Sequence, residues 1–219
     1  MKKELYKIMG IMAIATSLMA CDEHRDFLDT AMKPCHILCT DGKVLSVSDF
    51  EQSNKQAIAV VFHVNHDEDT EGNGYAVYLW NLESLAFADS IGVKQNTSAD
   101  ITALDGFENT FALLNTKDTS SPLAKKVFDL WKYGQSAYIP SVAQMRLLYH
   151  AKEQINPVIK ICGGDTLPVA ADDCWYWTST EVNEQETAKA WLYSMGSGAI
   201  HDTPKTQAHQ SRAIITLRD

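Results

Sequence analysis

The stretch from Trp175 to Glu184 gathers the side chains of this sequence best suited to meeting a ligand. It holds indoles at Trp175 and Trp177, hydroxyls from Thr178 to Thr180, then Glu181, Asn183 and Glu184. Alternation along a strand puts Trp175 and Trp177 on one face and Tyr176 on the other. The strand ends at Glu181, so Glu181, Asn183 and Glu184 are expected at a loop, near the polar connection Gly196 to Gln210 with its His201, Asp202, Lys205 and His209. Asp172, Asp173 and Trp175 mark a second surface at the other end of the strand. Carboxylates, amides and one aromatic face suit weak contacts with a glycan or a protein. The candidate binding set is therefore Glu181, Asn183, Glu184, Trp175, Asp172, Asp173 and His201. A plainer role stays open, in which Thr180 and Glu181 hydrogen-bond to neighbouring backbone and fix the long loops.

Metal and catalytic chemistry find less support. Cys35-His36-x-x-Cys39 packs three possible zinc ligands, but the usual finger spacings are absent and His63, His66, His201 and His209 complete no set. Asp67-x-Asp69-x-Glu71-Gly72 has the outline of a calcium loop, yet Tyr78 stands where a bidentate Glu is needed. No metal or other cofactor is expected. The sequence contains no GxSxG elbow, Walker loop, dinucleotide fingerprint or HExxH.

The N-terminus speaks for the compartment. Lys2-Lys3, an apolar run from Ile8 to Ala20 and small residues before Cys21 read as a secretory signal at residues 1–20. The run is too short for a stable bilayer crossing. Leu18-Met19-Ala20-Cys21 has the form of a bacterial lipobox, which makes Cys21 the lipidated mature N-terminus, held in the membrane by its acyl chains. Removing Lys2, Lys3, Lys7 and Glu4 leaves 16 basic against 27 acidic side chains, which argues against nucleic acid as a partner. Residues 21–36 read as a polar tether and 37–219 as one domain, since 45% hydrophobic residues suffice for a core and no second core signature appears.

Disulfides form in such a compartment. Cys35, Cys39, Cys162 and Cys174 allow three pairings, which sequence cannot separate. Cys162 with Cys174 is preferred, because it would close a loop of about a dozen residues and constrain the unfolded chain by roughly 3 kcal/mol.

The elements that must position these residues follow from pattern. Val44 to Val47 reads as a short strand, and Ala57 to Val64 and Gly74 to Trp80 as a hairpin around a polar loop. Pro122 opens a helix whose stripe is Leu123, Val127, Leu130 and Trp131, with Gly134 as its stop. Ser141 and Gln144 form a capping box for a second helix with Val142, Met145 and Tyr149 on one face, and Asn156-Pro157 is expected to end it. Trp177 and Trp191 are expected as a buried pair. Ala188 to Met195 and Ser211 to Leu217 read as the last strands.

The order Tyr138-Ile139-Pro140-Ser141, a helix, Gly163-Gly164, Tyr176-Trp177-Thr178-Ser179-Thr180-Glu181, Ala190-Trp191, Gly198, Lys205 and Arg212-Ala213 resembles the Lcl C-terminal domain family. That family is named for a collagen-like bacterial adhesin and is similar in fold to C-type lectins. The motif resemblance covers Ala137 to Leu217, and the upstream half looks like the first half of the same domain in related lipoproteins. Two features depart from the family pattern: Ala137-Tyr138-Ile139 replaces a Trp-Tyr-Leu sequence, and Cys174-Trp175 precedes the aromatic box. The resemblance implies an α+β, C-type lectin-like fold: a mixed, mostly antiparallel twisted sheet with two main helices, long loops and neighbouring termini. It does not imply calcium-dependent sugar binding, because the paired Glu-Pro-Asn and Trp-Asn-Asp elements are missing. The formylglycine-generating enzyme resembles the same fold, but its catalytic cysteines lie near the end of its domain and no cysteine follows Cys174 here.

The implied function is a non-catalytic binding or adhesion module for a glycan or surface protein. The alternative is a structural accessory subunit of a cell-envelope or fimbrial assembly. The implied place is the outer membrane, and Asp22-Glu23 after Cys21 resembles the export signal of lipoproteins that face outward.

Overall fold

A computed structural model describes residues 32–66, 72–130, 137–170 and 174–218. The expected leader, Cys21, most of the tether, the acidic loop 67–71, Trp131, Gly134 and the pair Asp172 and Asp173 lie outside the described residues. The fold is α+β, with two mostly antiparallel sheets.

The larger sheet has β1 (Ile37–Cys39), β2 (Val44–Leu45), β3 (Ala57–Val64), β4 (Gly74–Tyr78), β6 (Ala137–Tyr138) and β11 (Ile214–Leu217), in the order β2-β1-β3-β4-β11-β6. β3 and β4 form the expected hairpin. The apolar run of β3 has a physical reason, because both of its faces are covered. Ala57, Val60 and Phe62 join one core, and Ile58, Ala59 and Val61 join the other. The termini of the described chain are neighbours, as expected: Gly74 pairs with Leu217, and a Cβ on Gly74 would lie 2.9 Å from Met32 Sδ. Just before β1, Cys35 N donates to Val61 O and Val61 N to His36 O.

The first core is roofed by the long helix, Val142–Ile161, which we number α4. Its capping box is formed as expected, with Ser141 Oγ accepting from Gln144 N and Gln144 Oε1 accepting from Ser141 N. The helix does not stop at Asn156-Pro157. Pro157 removes one backbone donor, a cost of about 3 kcal/mol in a helix interior, but Ile155, Val158 and Ile159 beside it are buried and hold the last turn down. Asn156 instead binds the returning chain, accepting from Leu167 N and donating to Leu167 O, both at 2.8 Å. Gly163, at φ 72, ends the helix in the left-handed region, and Gly164 bonds back to Ile159 O in a Schellman-type stop. Gly164 also packs against Leu79 O, where a Cβ would come within 2.6 Å.

The second core lies on the other side of the large sheet, under α2 (Gly106–Asn115) and α3 (Pro122–Phe128). With α1 (Val47–Gln52) there are four helices among the described residues. Residue 47 opens α1 instead of ending a strand, because Ser46 caps it by accepting from Asp49 N.

The smaller sheet has β5 (Leu82–Ala86), β7 (Trp175–Glu181), β8 (Lys189–Ser194), β9 (Ile200–Pro204) and β10 (Ala208–Ser211), in the order β5-β10-β7-β8-β9. The connection Gly196 to Gln210, expected as a polar loop, therefore contains two strands. Their hydrogen bonds are main-chain bonds to β5, β7 and β8, and hydrophobic pattern does not report those. As alternation requires, Tyr176 enters the first core and Trp177 the second, with Trp175 packed at the edge of the second.

Candidate functional site

Glu181 closes β7 and is fully buried, as is Lys205 between β9 and β10. The two form an ion pair through Glu181 Oε1. The rest of the carboxylate is also engaged. Oε1 accepts from Gln95 N at 2.9 Å, and Oε2 accepts from Thr97 N at 3.1 Å and from Thr97 Oγ1 at 3.0 Å. Thr97 Oγ1 in turn accepts from Glu181 N. Lys205 Nζ donates to Val93 O and stands 5.6 Å from the centroid of the Phe87 ring. Burial pulls the Lys205 ammonium below its usual pKa, and the bond to Glu181 works against that shift. The pair thus pins residues 93–97, which carry no regular structure of their own, onto the ends of β7 and β9.

Two further buried cations act on main-chain carbonyls. Arg212 donates from Nε to Tyr78 O, from Nη2 to Leu79 O and Asp165 O, and from Nη1 to Asn81 Oδ1, all within 2.6–2.8 Å. Its pKa is pulled down to about 10 by burial. Lys152, on α4, donates to Met195 O and lies 4.1 Å from the Tyr149 ring centroid.

Next to the Glu181 clamp lies a cleft of about 480 Å³. One wall is residues 98–101, and the other is Val182, Asn183 and Trp191. Trp191 is half-buried on β8, so the expected buried pair of Trp177 and Trp191 is only half right, with Trp177 alone fully enclosed. The wall at 98–101 is held by Ser98 N donating to Asn109 Oδ1 and by a turn in which Asp100 Oδ1 accepts from Thr102 N and Oγ1. Asn96 and Ala99 sit at φ 60 and 55. For Ala99 that conformation costs about 1–2 kcal/mol per residue, so the clamps are holding a loop that would otherwise relax.

The residues singled out from sequence divide accordingly. Glu181 is no surface residue: it is spent on the loop, as the plainer role had it. Asn183 and Glu184 are exposed at the β7–β8 turn, where Glu184 has φ 65, and Asn183 lines the cleft. Trp175 and His201 meet elsewhere on the small sheet, with ring centroids 5.8 Å apart and His201 exposed. Asp172 and Asp173 fall outside the described residues. Cys162 and Cys174 are not bonded, and all four described cysteines are free. Both Cys162 and Cys39 belong to the first core and its border, and burial, then the Cys39 thiol, push the Cys162 thiol up to about 11.

Sequence reasoning missed the wall 98–101 and the burial of Lys205 and Arg212. The one local signal was the turn-prone Asn96-Thr97-Ser98, which carries no hint of a partner 84 residues away. Among the described residues no group of three metal-ligating side chains occurs, and no helix is long and apolar enough to cross a membrane.

No family model matches the sequence. No curated protein matches it either. The structure is similar to the crystal structure of a fimbrial protein from Bacteroides ovatus ATCC 8483, with a TM-score of 0.67 at 17% identity. The match covers 85% of this chain and 49% of the fimbrial protein, so the chain spans about half the length of the protein it matches. At that identity the likeness establishes a shared fold.

Proposed function

We propose that this chain is a cell-envelope lipoprotein serving as a non-catalytic accessory subunit of a surface assembly of fimbrial kind. The observation that carries this is the likeness in fold to a fimbrial protein over most of the chain. The lipobox ending at Cys21 supports it from the sequence side. The engagement of the buried charges supports the non-catalytic part, because Glu181, Lys205 and Arg212 hold loops and none is presented to a substrate. The test is to express the full chain with its own leader in a Gram-negative bacterium. Palmitate label on Cys21, cleavage by protease added to intact cells and recovery with sheared surface fibres are the expected results. A soluble, unlipidated periplasmic product would overturn the proposal.

A second reading, an adhesion module of the Lcl C-terminal, lectin-like kind, is favoured by the cleft lined by Asn183 and Trp191, whose other wall is hydrogen-bonded to Asn109 and within its own turn.

A further inference from the structure

We propose that the cleft between residues 98–101 and Trp191 is a calcium-independent binding site for a neutral saccharide. The inference deepens the adhesive reading and is independent of whether the chain is lipidated or joins a fibre.

Three observations carry it. The first is the chemistry of the walls. Trp191 gives a flat apolar surface, to which the C–H face of a pyranose ring is complementary. Asn183 supplies an amide that both donates and accepts, Ser98 a hydroxyl and Asp100 a carboxylate, the groups that recognise sugar hydroxyls. The volume, about 480 Å³, lies in the range of roughly 300–1,000 Å³ usual for small-ligand sites.

The second is preorganisation. A weak ligand cannot supply the energy to order a loop, so the site has to be built before the ligand arrives. Here the loop wall is tied at Gln95 and Thr97 to Glu181, at Ser98 to Asn109 and at Asp100 to Thr102. The β7–β8 connection that carries Asn183 meets the chain just ahead of this loop, where Gly92 N donates to Thr187 O and Lys94 pairs with Glu186 at the surface. Left-handed backbone at Ala99 is retained in this wall, and strain of that kind gathers where a surface must keep a set shape.

The third is charge. The cleft is lined by one carboxylate and no basic side chain. A sulfated or sialylated glycan would therefore meet repulsion, as would other anions. A single carboxylate is also too few for a calcium ion, which takes six to eight oxygen ligands. A neutral hexose or N-acetylhexosamine chain meets neither obstacle.

The experiment uses the mature chain from residue 22, titrated with a panel of neutral and acidic oligosaccharides and followed by tryptophan fluorescence and calorimetry, with and without EDTA. Binding of at least one neutral oligosaccharide is expected, unchanged by EDTA. Trp191→Ala should weaken it about tenfold or more, equivalent to about 1.4 kcal/mol, Trp191→Phe should weaken it less, and Trp175→Ala should leave it alone. If Trp191→Ala fails to fold, Asn183→Ala, at an exposed position, should weaken binding severalfold on its own. Failure of every neutral saccharide to bind overturns the proposal. So do binding confined to acidic glycans, loss of binding in EDTA, or binding indifferent to both Trp191 and Asn183 in folded protein. None of those results bears on palmitate labelling or fibre association.

Discussion

The face of the large sheet under α4 and the end of the small sheet at Glu181 hold chain in place by different physics. Under α4 the contacts are apolar: Val60, Val77, Met145, Leu148 and Ile155 are buried, and main-chain polar groups are satisfied inside helix and sheet. At Glu181 the chain to be fixed, residues 93–97, has neither helix nor strand to satisfy its amides. A buried carboxylate does so instead, and a buried ammonium offsets the carboxylate. An apolar contact tolerates small shifts, whereas several hydrogen bonds on one carboxylate fix a loop in one shape. The charged device thus appears where position matters more than stability, beside the cleft.

Breaking one half of that device should have the largest effect. Removal of one member of a buried pair typically costs about 3–5 kcal/mol, because the other is left charged and unpaired. Glu181→Ala should therefore lower unfolding stability by about that amount in denaturant titration. Glu181→Gln, which keeps an acceptor for one of the two amides, Gln95 N or Thr97 N, and turns a donor toward the other, should cost somewhat less. The double variant Glu181→Met with Lys205→Met should regain most of the loss while leaving the loop less well fixed, seen as faster amide exchange at 95–99. Equal destabilisation by the double and single variants would show that the ion pair is not the coupling element.

The apolar region sets the comparison. Leu148→Ala removes a fully buried side chain and should cost about 2–5 kcal/mol. Unlike Glu181→Ala, it should leave exchange at 95–99 unchanged relative to global stability. Ser141→Ala removes the cap of α4 and should cost about 1 kcal/mol by the same titration.

What the sequence disclosed follows the same division. Apolar periodicity and capping chemistry are local, so the β3–β4 hairpin, the start of α4 and the opposite faces of Tyr176 and Trp177 could be read directly. The end of α4 could not, because burial of Val158 and Ile159 outweighs a proline whose local meaning is to stop a helix. Lys205 reads as a solvated residue in a polar segment, since its partner is supplied by tertiary structure. Half of the candidate site was legible as Asn183 and its turn. The wall at 98–101 was not, because its shape is set by Glu181 and Asn109, on other elements.

Thiol chemistry gives a smaller signal at the border of the apolar region. With the four described cysteines free, denatured protein from residue 22 without reductant should label at Cys35, Cys39, Cys162 and Cys174. In native protein Cys162 should alkylate slowly at pH 8.5, because burial raises its pKa to about 11 and only the thiolate reacts. The folded state keeps this proton longer than the unfolded chain, so the contribution is intact below pH 9 and is lost as pH rises toward 11. A Cys162–Cys174 crosslink in the peptide map would overturn this.

The smallest effect belongs to β10, at the half-buried His209. His209 packs edge-on to Trp177 at 5.3 Å between ring centroids, and its pKa lies below the usual value, first through burial and second through His201. The folded state therefore resists protonating His209 where the unfolded chain accepts the proton. The contribution to stability is full above the ordinary histidine pKa and declines as pH falls through it. His201→Gln removes the second cause and leaves the first. The His209 resonance, followed by NMR from pH 8 to 5, should then titrate at a higher pH than in the parent but still below an exposed imidazole. No movement on that substitution would mean that the indole surroundings alone set the shift, and that the histidines on β9 and β10 act independently.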